Sequence, residues 1–385
     1  MRKMYKNRDI SFIRTLFLSW VCFLLLSHES YSSNHVVIVV MDGVRLTETL
    51  GDKTNIPNIA SLSLQGTTLT DFRTVLPGSA HESLTETVSG HARITTGTDQ
   101  CITNDGSMLP TSPSLFQHYR KQTGADSGSC MVLCCKEKLN VLGNTSDPLW
   151  SGKYLPTVDC GDDGLRADSL THAIAIEKLL RDHPSLMLIN YAGPDAMGHA
   201  GDSSGYINKI KEIDGYVGDI WSAILNDPVL RDSTTLFITN DHGRHTLDFS
   251  SHGDACEGCT HIMCVIRGPQ VKVNHKSAHR REQIDIAPTI GHLAGFSLPE
   301  SEGKVMDEIF LNPVIRMDGI VKGPVLRGER IFKGIPSGTI IERFNLSGRR
   351  TYLQHIVQQD GADKISVEHI KSKAAGMYLY RLNYR

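Results

Sequence analysis

Leu236-Phe237-Ile238-Thr239-Asn240-Asp241-His242-Gly243 is the stretch that decides how this chain folds. A run of apolar residues closing on a carboxylate and an imidazole reads as a buried strand with a polar carboxyl end. Two such side chains in a core must pair with each other or hold a metal. The same arrangement appears twice more. Residues 36–41 are apolar and end at Asp42, and the run 186–189 is followed by Asp195 and, four residues on, His199. The chain thus presents three strand ends that carry metal-type ligands.

Helical patterns lie between these runs. Leu170, Ala173, Ile176 and Leu180 mark one expected apolar face, and Ile207, Ile210, Ile213, Val217, Ile220 and Ile224 a longer one. A further strand is expected over 262–266 and a short helix from 284. Such alternation predicts an α/β fold with a mostly parallel central sheet and helices on both faces. In sheets of this kind sites form beyond the carboxyl ends of the strands, where Asp42, Asp195 and Asp241 fall.

The 385 residues, 40% hydrophobic and 21% charged, suffice for a large core. With 40 basic and 42 acidic residues the formal net charge is −2, so nothing points to nucleic acid or an anionic membrane as partner. Arg2, Lys3, Lys6, Arg8 and Arg14 precede an apolar stretch over 16–26 that is short for a membrane span. Residues 1–33 therefore read as a signal peptide, with an exported product (periplasmic, cell-surface or secreted) and no span after its removal. Eight cysteines remain beyond Cys22, and an even number in an exported chain favours disulfides. Cys256 and Cys259 have C-x-x-C spacing; with no second matching pair, they read as a disulfide rather than as zinc ligands. The catalytic body is expected over 34–312, a Gly- and Pro-rich linker over 313–336, and a small β-sandwich over 337–385.

Asp195-Ala196-Met197-Gly198-His199 can bring both ligands to one side of a turn. In Glu86-Thr87-Val88-Ser89-Gly90-His91-Ala92-Arg93 a hydroxyl stands at a helix start, where backbone N–H groups favour an anion. Either Thr87 or Ser89 suits a nucleophile.

Together these residues resemble the alkaline phosphatase superfamily over roughly 36–310, including its nucleotide pyrophosphatase/phosphodiesterases, cofactor-independent phosphoglycerate mutases, phosphopentomutases and sulfatases. The resemblance implies an alkaline phosphatase-like fold. The spacing to Gly90-His91 seen in the mutases, and that to Thr96-Gly97 seen in sulfatases, both lead to Thr87 as nucleophile, with Ser89 behind it. The family pattern assigns one divalent ion to Asp42, Thr87, Asp241 and His242. It assigns a second to Asp195, His199 and a third histidine, His252 of the His252-Gly253 pair, with His261 as competitor. Zinc fits these ligands, and manganese is the alternative. The implied substrate is a small phosphate mono- or diester. The Pro and Arg that follow a sulfatase nucleophile are absent after Thr87. Rival readings are a sulfatase-like or phosphonate hydrolase, a head-group phosphotransferase, and a non-catalytic, metal-stabilised surface protein. His91, Arg93 and Asn104 are candidate phosphate contacts. The tail, through residues 345–350, 364–370 and 376–380, resembles the sorting domain of type IX secretion in Bacteroidetes, which implies that machinery as a partner.

Overall fold

The computed structural model describes residues 35–311, apart from 76, 77, 83 and 163, and five strand segments beyond residue 329. The expected signal peptide and most of the expected linker lie outside the described residues.

Nine strands form one sheet in the body: β1 (His35–Met41), β2 (Thr67–Arg73), β3 (Cys130–Cys134), β4 (Thr157–Asp159), β5 (Leu186–Tyr191), β6 (Thr234–Thr239), β7 (His261–Arg267), β8 (His275–Ser277) and β9 (Arg281–Glu282). Their order is β4-β3-β5-β1-β6-β7-β2-β8, with β9 also paired to β2. All neighbours run parallel except β7, which is antiparallel to both β6 and β2. Every residue of β5 and β6, and all but His35 of β1, is buried. Strands covered on both faces need apolar side chains in both directions, so these runs are continuous rather than alternating.

Among the described residues eight α-helices accompany the sheet: α1 (Pro57–Gln65), α2 (Thr87–Thr96), α3 (Leu115–Thr123), α4 (Asp168–Asp182), α5 (Gly193–His199), α6 (Ser203–Asn226), α7 (Glu257–Thr260) and α8 (Ile286–Ala294). On one face Val37 and Val39 of β1 share a core with Ile59 and Leu62 of α1, Ala175 and Leu179 of α4, and Ile210, Ile213 and Val217 of α6. The alternate residues Val36, Ile38 and Val40 are also fully buried, toward the face where α8 packs. No helix of the described residues is long and apolar enough to cross a membrane.

The apolar face expected on α6 is the buried one, with Ile207 half-buried at its edge. The face expected on α4 is not. Leu170, Ala173 and Leu180 are exposed, and the helix buries Asp168, Thr171, Ala175 and Leu179 instead. Two polar anchors set this rotation. Asp168 Oδ1 accepts from Ala192 N at 2.8 Å, and the Cys135 thiol lies 3.2 Å from Thr171 Oγ1. Buried hydrogen bonds of this kind outrank the placement of a leucine, which loses little by lying on a surface.

The eight cysteines among the described residues are free thiols, where disulfides were expected. Cys130, Cys134 and Cys264 serve as core residues of β3 and β7, in the manner of small hydrophobes. In the carboxyl-terminal unit, Arg330–Lys333 pairs antiparallel with Lys364–Val367, and Ile340–Asn345 lies between Arg350–Ile356 and Tyr378–Asn383. The first of these strands falls in the stretch expected as linker.

Helix α1 has proline at its first position and no side-chain cap of its own. Asp214 of α6 supplies one, its two oxygens accepting from Asn58 N at 3.0 Å and Ile59 N at 2.9 Å. Asp214→Ala should lower the unfolding free energy by about 1–3 kcal/mol, because two helix N–H groups lose their acceptor. Urea denaturation with an unchanged slope is the measurement that checks it.

Candidate metal centre

The parallel register of β1 between β5 and β6 aligns three carboxyl ends. Met41 lies opposite Tyr191, and Val40 opposite both Asn190 and Thr239. The chain leaving each strand delivers its polar residues to the same edge: Asp42 after β1, Asp195 in the first turn of α5 after β5, and Asp241-His242 after β6.

Asp42, Asp241 and His242 form one fully buried cluster. His242 Nε2 lies 3.6 Å from Asp42 Oδ1 and 3.5 Å from Asp241 Oδ2. Its Nδ1 donates to Gly243 O at 2.8 Å, which leaves the Nε2 lone pair directed at the carboxylates. Asp241 Oδ1 accepts from Gly43 N and His242 N. Asp241 Oδ2 and His242 Nε2 are buried without a hydrogen-bond partner. Two orphaned acceptors, one carboxylate oxygen and one imidazole nitrogen, are what a divalent cation would take up, so these residues fit a metal.

Asp195, His199 and His252 form the second cluster. His199 Nε2 and His252 Nε2 lie 3.4 and 3.7 Å from Asp195 Oδ1, and 3.2 Å from each other. His252 Nδ1 donates to Thr85 O at 2.9 Å, so its Nε2 is also available as a ligand. The His252 and His242 rings stack at 3.9 Å between centroids, making a common wall for the two clusters. Burial, with His242 adding to it, lowers the His252 imidazole to about 3, so it stays neutral and able to ligate at neutral pH. His261 is engaged elsewhere, Nδ1 with Glu257 Oε1 at 2.8 Å and Nε2 with Thr70 O at 3.1 Å.

Thr87 opens α2 and is buried. Helix α2 is buried along its whole length, and Gly90 permits this: a Cβ there would stand 2.3 Å from Asp241 O. The helix start is thereby pressed against the end of β6. Ser89 Oγ instead donates to Ile102 O at 3.2 Å. Arg93 is spent on Asp99 Oδ1, Leu84 O and His81 O. His91 Nδ1 donates to Thr87 O at 2.8 Å, and its Nε2 accepts from Asn190 Nδ2 at 3.1 Å. Asn104 Oδ1 accepts from Val88 N and Lys138 Nζ.

Three participants carry no spacing signal in the sequence. Lys136 Nζ lies 2.9 Å from Asp42 Oδ1, 2.6 Å from Asp195 Oδ2 and 3.1 Å from Thr87 Oγ1, and so joins both clusters to the hydroxyl. It follows buried β3, so the strand-end rule that exposed Asp42 could have found it too. Arg244, fully buried, reaches Asp195 Oδ1 at 2.5 Å, and Asn190 donates to Asp42 Oδ2 at 3.2 Å. Burial works against the Lys136 ammonium, but Asp42, Asp195 and Asp241 outweigh it and hold its pKa above the usual lysine range. Burial and the neighbouring Asp241 push the Asp42 carboxyl up. Burial also opposes ionisation of Asp195, yet His199 and Lys136 hold it well below the ordinary carboxylate range.

A model of the Metalloenzyme superfamily matches residues 165–298, which include Asp195, His199, Asp241, His242 and His252. The 2,3-bisphosphoglycerate-independent phosphoglycerate mutase of Gracilaria tenuistipitata var. liui is 29% identical over 143 residues, 36% of this chain and 26% of that protein. The chain spans about a quarter of the length of the curated mutases it matches. Among solved structures, human ectonucleotide pyrophosphatase/phosphodiesterase 5 aligns with a TM-score of 0.54 at 14% identity, covering 72% of this chain and 100% of that one. The phosphonate monoester hydrolase of Agrobacterium radiobacter aligns with a TM-score of 0.51 at 13% identity, covering 78% and 80%. At such identities the likeness is one of fold.

The geometry separates the two histidine candidates by experiment. His252→Ala should lower bound divalent metal by one equivalent relative to the parent protein, and His261→Ala should leave it unchanged. Elemental analysis of the dialysed proteins reads the difference.

Proposed function

We propose that the α/β body is a member of the alkaline phosphatase superfamily and that the protein is a divalent-cation-dependent phosphoester hydrolase working through Thr87. One observation carries the reading: the Thr87 hydroxyl shares the Lys136 ammonium with Asp42 of one cluster and Asp195 of the other. A hydroxyl at a helix start, placed between two candidate cation sites, is suited to attack a phosphorus atom held there.

Asp42, Asp241 and His242, with Thr87 beside them, would hold one cation, and Asp195, His199 and His252 the other. Zinc suits this mixture of carboxylate and imidazole, and manganese is the alternative. When bound, such cations supply positive charge that favours attack by the hydroxyl and departure of the leaving oxygen. The chain's own groups do the rest. Thr87 Oγ1 forms a bond to phosphorus as the bond to the leaving oxygen breaks, the Thr87 proton passing through solvent to the departing alcohol. Water then splits the ester on Thr87, its oxygen staying on the phosphate and one of its protons restoring the hydroxyl. Lys136, held cationic by three carboxylates, donates to Thr87 Oγ1 and stands where negative charge grows on the phosphoryl oxygens. The positive end of the α2 dipole points the same way. Asn190 and His91 hold the acid residues and the first turn of α2 in place through their shared hydrogen bond.

A small phosphate mono- or diester is the proposed substrate class. The basic and apolar amino-terminal residues support export, and the tail motif supports passage through type IX secretion machinery.

Thr87→Ala should lower kcat/KM for an aryl phosphate ester on the order of 10³-fold or more, with metal content retained. Undiminished turnover would remove Thr87 from the mechanism. Chelation should abolish hydrolysis in the parent protein and added zinc or manganese restore it; turnover that survives complete metal removal would require a different chemistry.

A further inference from the structure

We propose that His245, Asp254, Cys256 and Cys259 form a third metal site, a closed tetrahedral one of the zinc class, which pins the loop carrying His252. It uses none of the residues of the proposed hydrolytic site.

A single atom, His245 Nδ1, lies 3.4 Å from Cys259 Sγ, 3.7 Å from Cys256 Sγ and 3.1 Å from Asp254 Oδ1. All four ligand atoms lie within 4.8 Å of one another. A tetrahedral zinc with ordinary bond lengths puts nitrogen and sulfur roughly 3.6 Å apart and nitrogen and oxygen roughly 3.4 Å apart. The four atoms already stand near those corners. Both thiols are free in this structure, so they are available as thiolates, each losing its proton to solvent as the cation binds.

The backbone is built to bring these groups together. Cys256 precedes the single turn of α7, with Cys259 N and Thr260 N both donating to Cys256 O at 3.0 Å. Gly243 N donates to Cys259 O at 2.9 Å and Arg244 N to Gly258 O at 3.0 Å, which fastens the start of the loop to the Cys-x-x-Cys turn. Gly258 makes that approach possible, since a Cβ there would lie 2.4 Å from Arg244 O. His245 thus enters from one end of the loop, and Asp254 and the cysteines from the other.

The donor set differs in kind from the other two clusters. Two sulfurs and an imidazole select zinc over magnesium, calcium or manganese. Four protein ligands leave no open position for water or substrate, so the site holds structure rather than performing chemistry. What it holds is the segment between its own ligands, and that segment contains His252, a ligand of the second cluster. The rival reading, a Cys256–Cys259 disulfide, gives His245 and Asp254 no reason to converge on the pair.

Cobalt(II) added to the reduced, metal-free full chain tests the proposal. A thiolate-to-cobalt charge-transfer band in the near ultraviolet should appear, be displaced by zinc, and vanish in the Cys256→Ser/Cys259→Ser double variant, whose zinc content should fall by one equivalent. Absence of the band at saturating cobalt with titratable thiols, or its persistence in the double variant, would overturn the assignment. The same band should appear in Thr87→Ala protein, so the failure of the hydrolase reading would leave this result intact. Because the cobalt spectrum is first read on the unmutated chain, poor folding of the double variant cannot hide the outcome.

Discussion

Three carboxylates, Asp42, Asp195 and Asp241, must occupy one small volume, and the rest of the site is arranged around that requirement. Two like charges about 4 Å apart repel by about 4 kcal/mol at the effective dielectric of a protein near its surface. Burial makes each ionised group costlier still. The cluster is tolerable because cations are built in beside it: Lys136 between Asp42 and Asp195, and Arg244 against the far oxygen of Asp195. Register matters for the same reason. Slipping β1 by one residue against β5 or β6 would turn its side chains to opposite faces and carry Asp42 away from His242.

Much of this was legible in the sequence, and the reason is physical. A strand buried on both faces has no polar residues to spare, so Asp241-His242 at the end of 236–239 stands out against its neighbours. The parallel sheet, β1, β5 and β6, and the buried face of α6 follow from the same contrast. Lys136 and Arg244 escaped because a lysine after a cysteine-rich strand, or an arginine in a loop, resembles any surface cation until the fold closes over it. The face of α4 was misread because Asp168 and Thr171 outweigh Leu170 and Leu180, and periodicity counts only apolar residues. The Cys-x-x-Cys pair reads as a covalent link in the sequence because His245 and Asp254 join it only through the folding of the loop.

The three clusters share one stretch of chain. Residues 241–259 supply members to each: Asp241 and His242 to the first, His252 to the second, and His245, Asp254, Cys256 and Cys259 to the last. On the proposed assignments, carboxylate and imidazole would serve where substrate oxygens exchange, and sulfur where a permanent hold is useful. Ligand softness would then divide one loop into a part that reacts and a part that fixes it.

Lys136 also bears on how the protein would take up ions. With Arg244 it already offsets two of the three acid charges, so the carboxylates are not left bare as in small zinc domains that fold only around their metal. A cation taken up by Asp42 or Asp195 would compete with the ammonium for the same oxygens, which makes the lysine a rival for the site it helps to assemble.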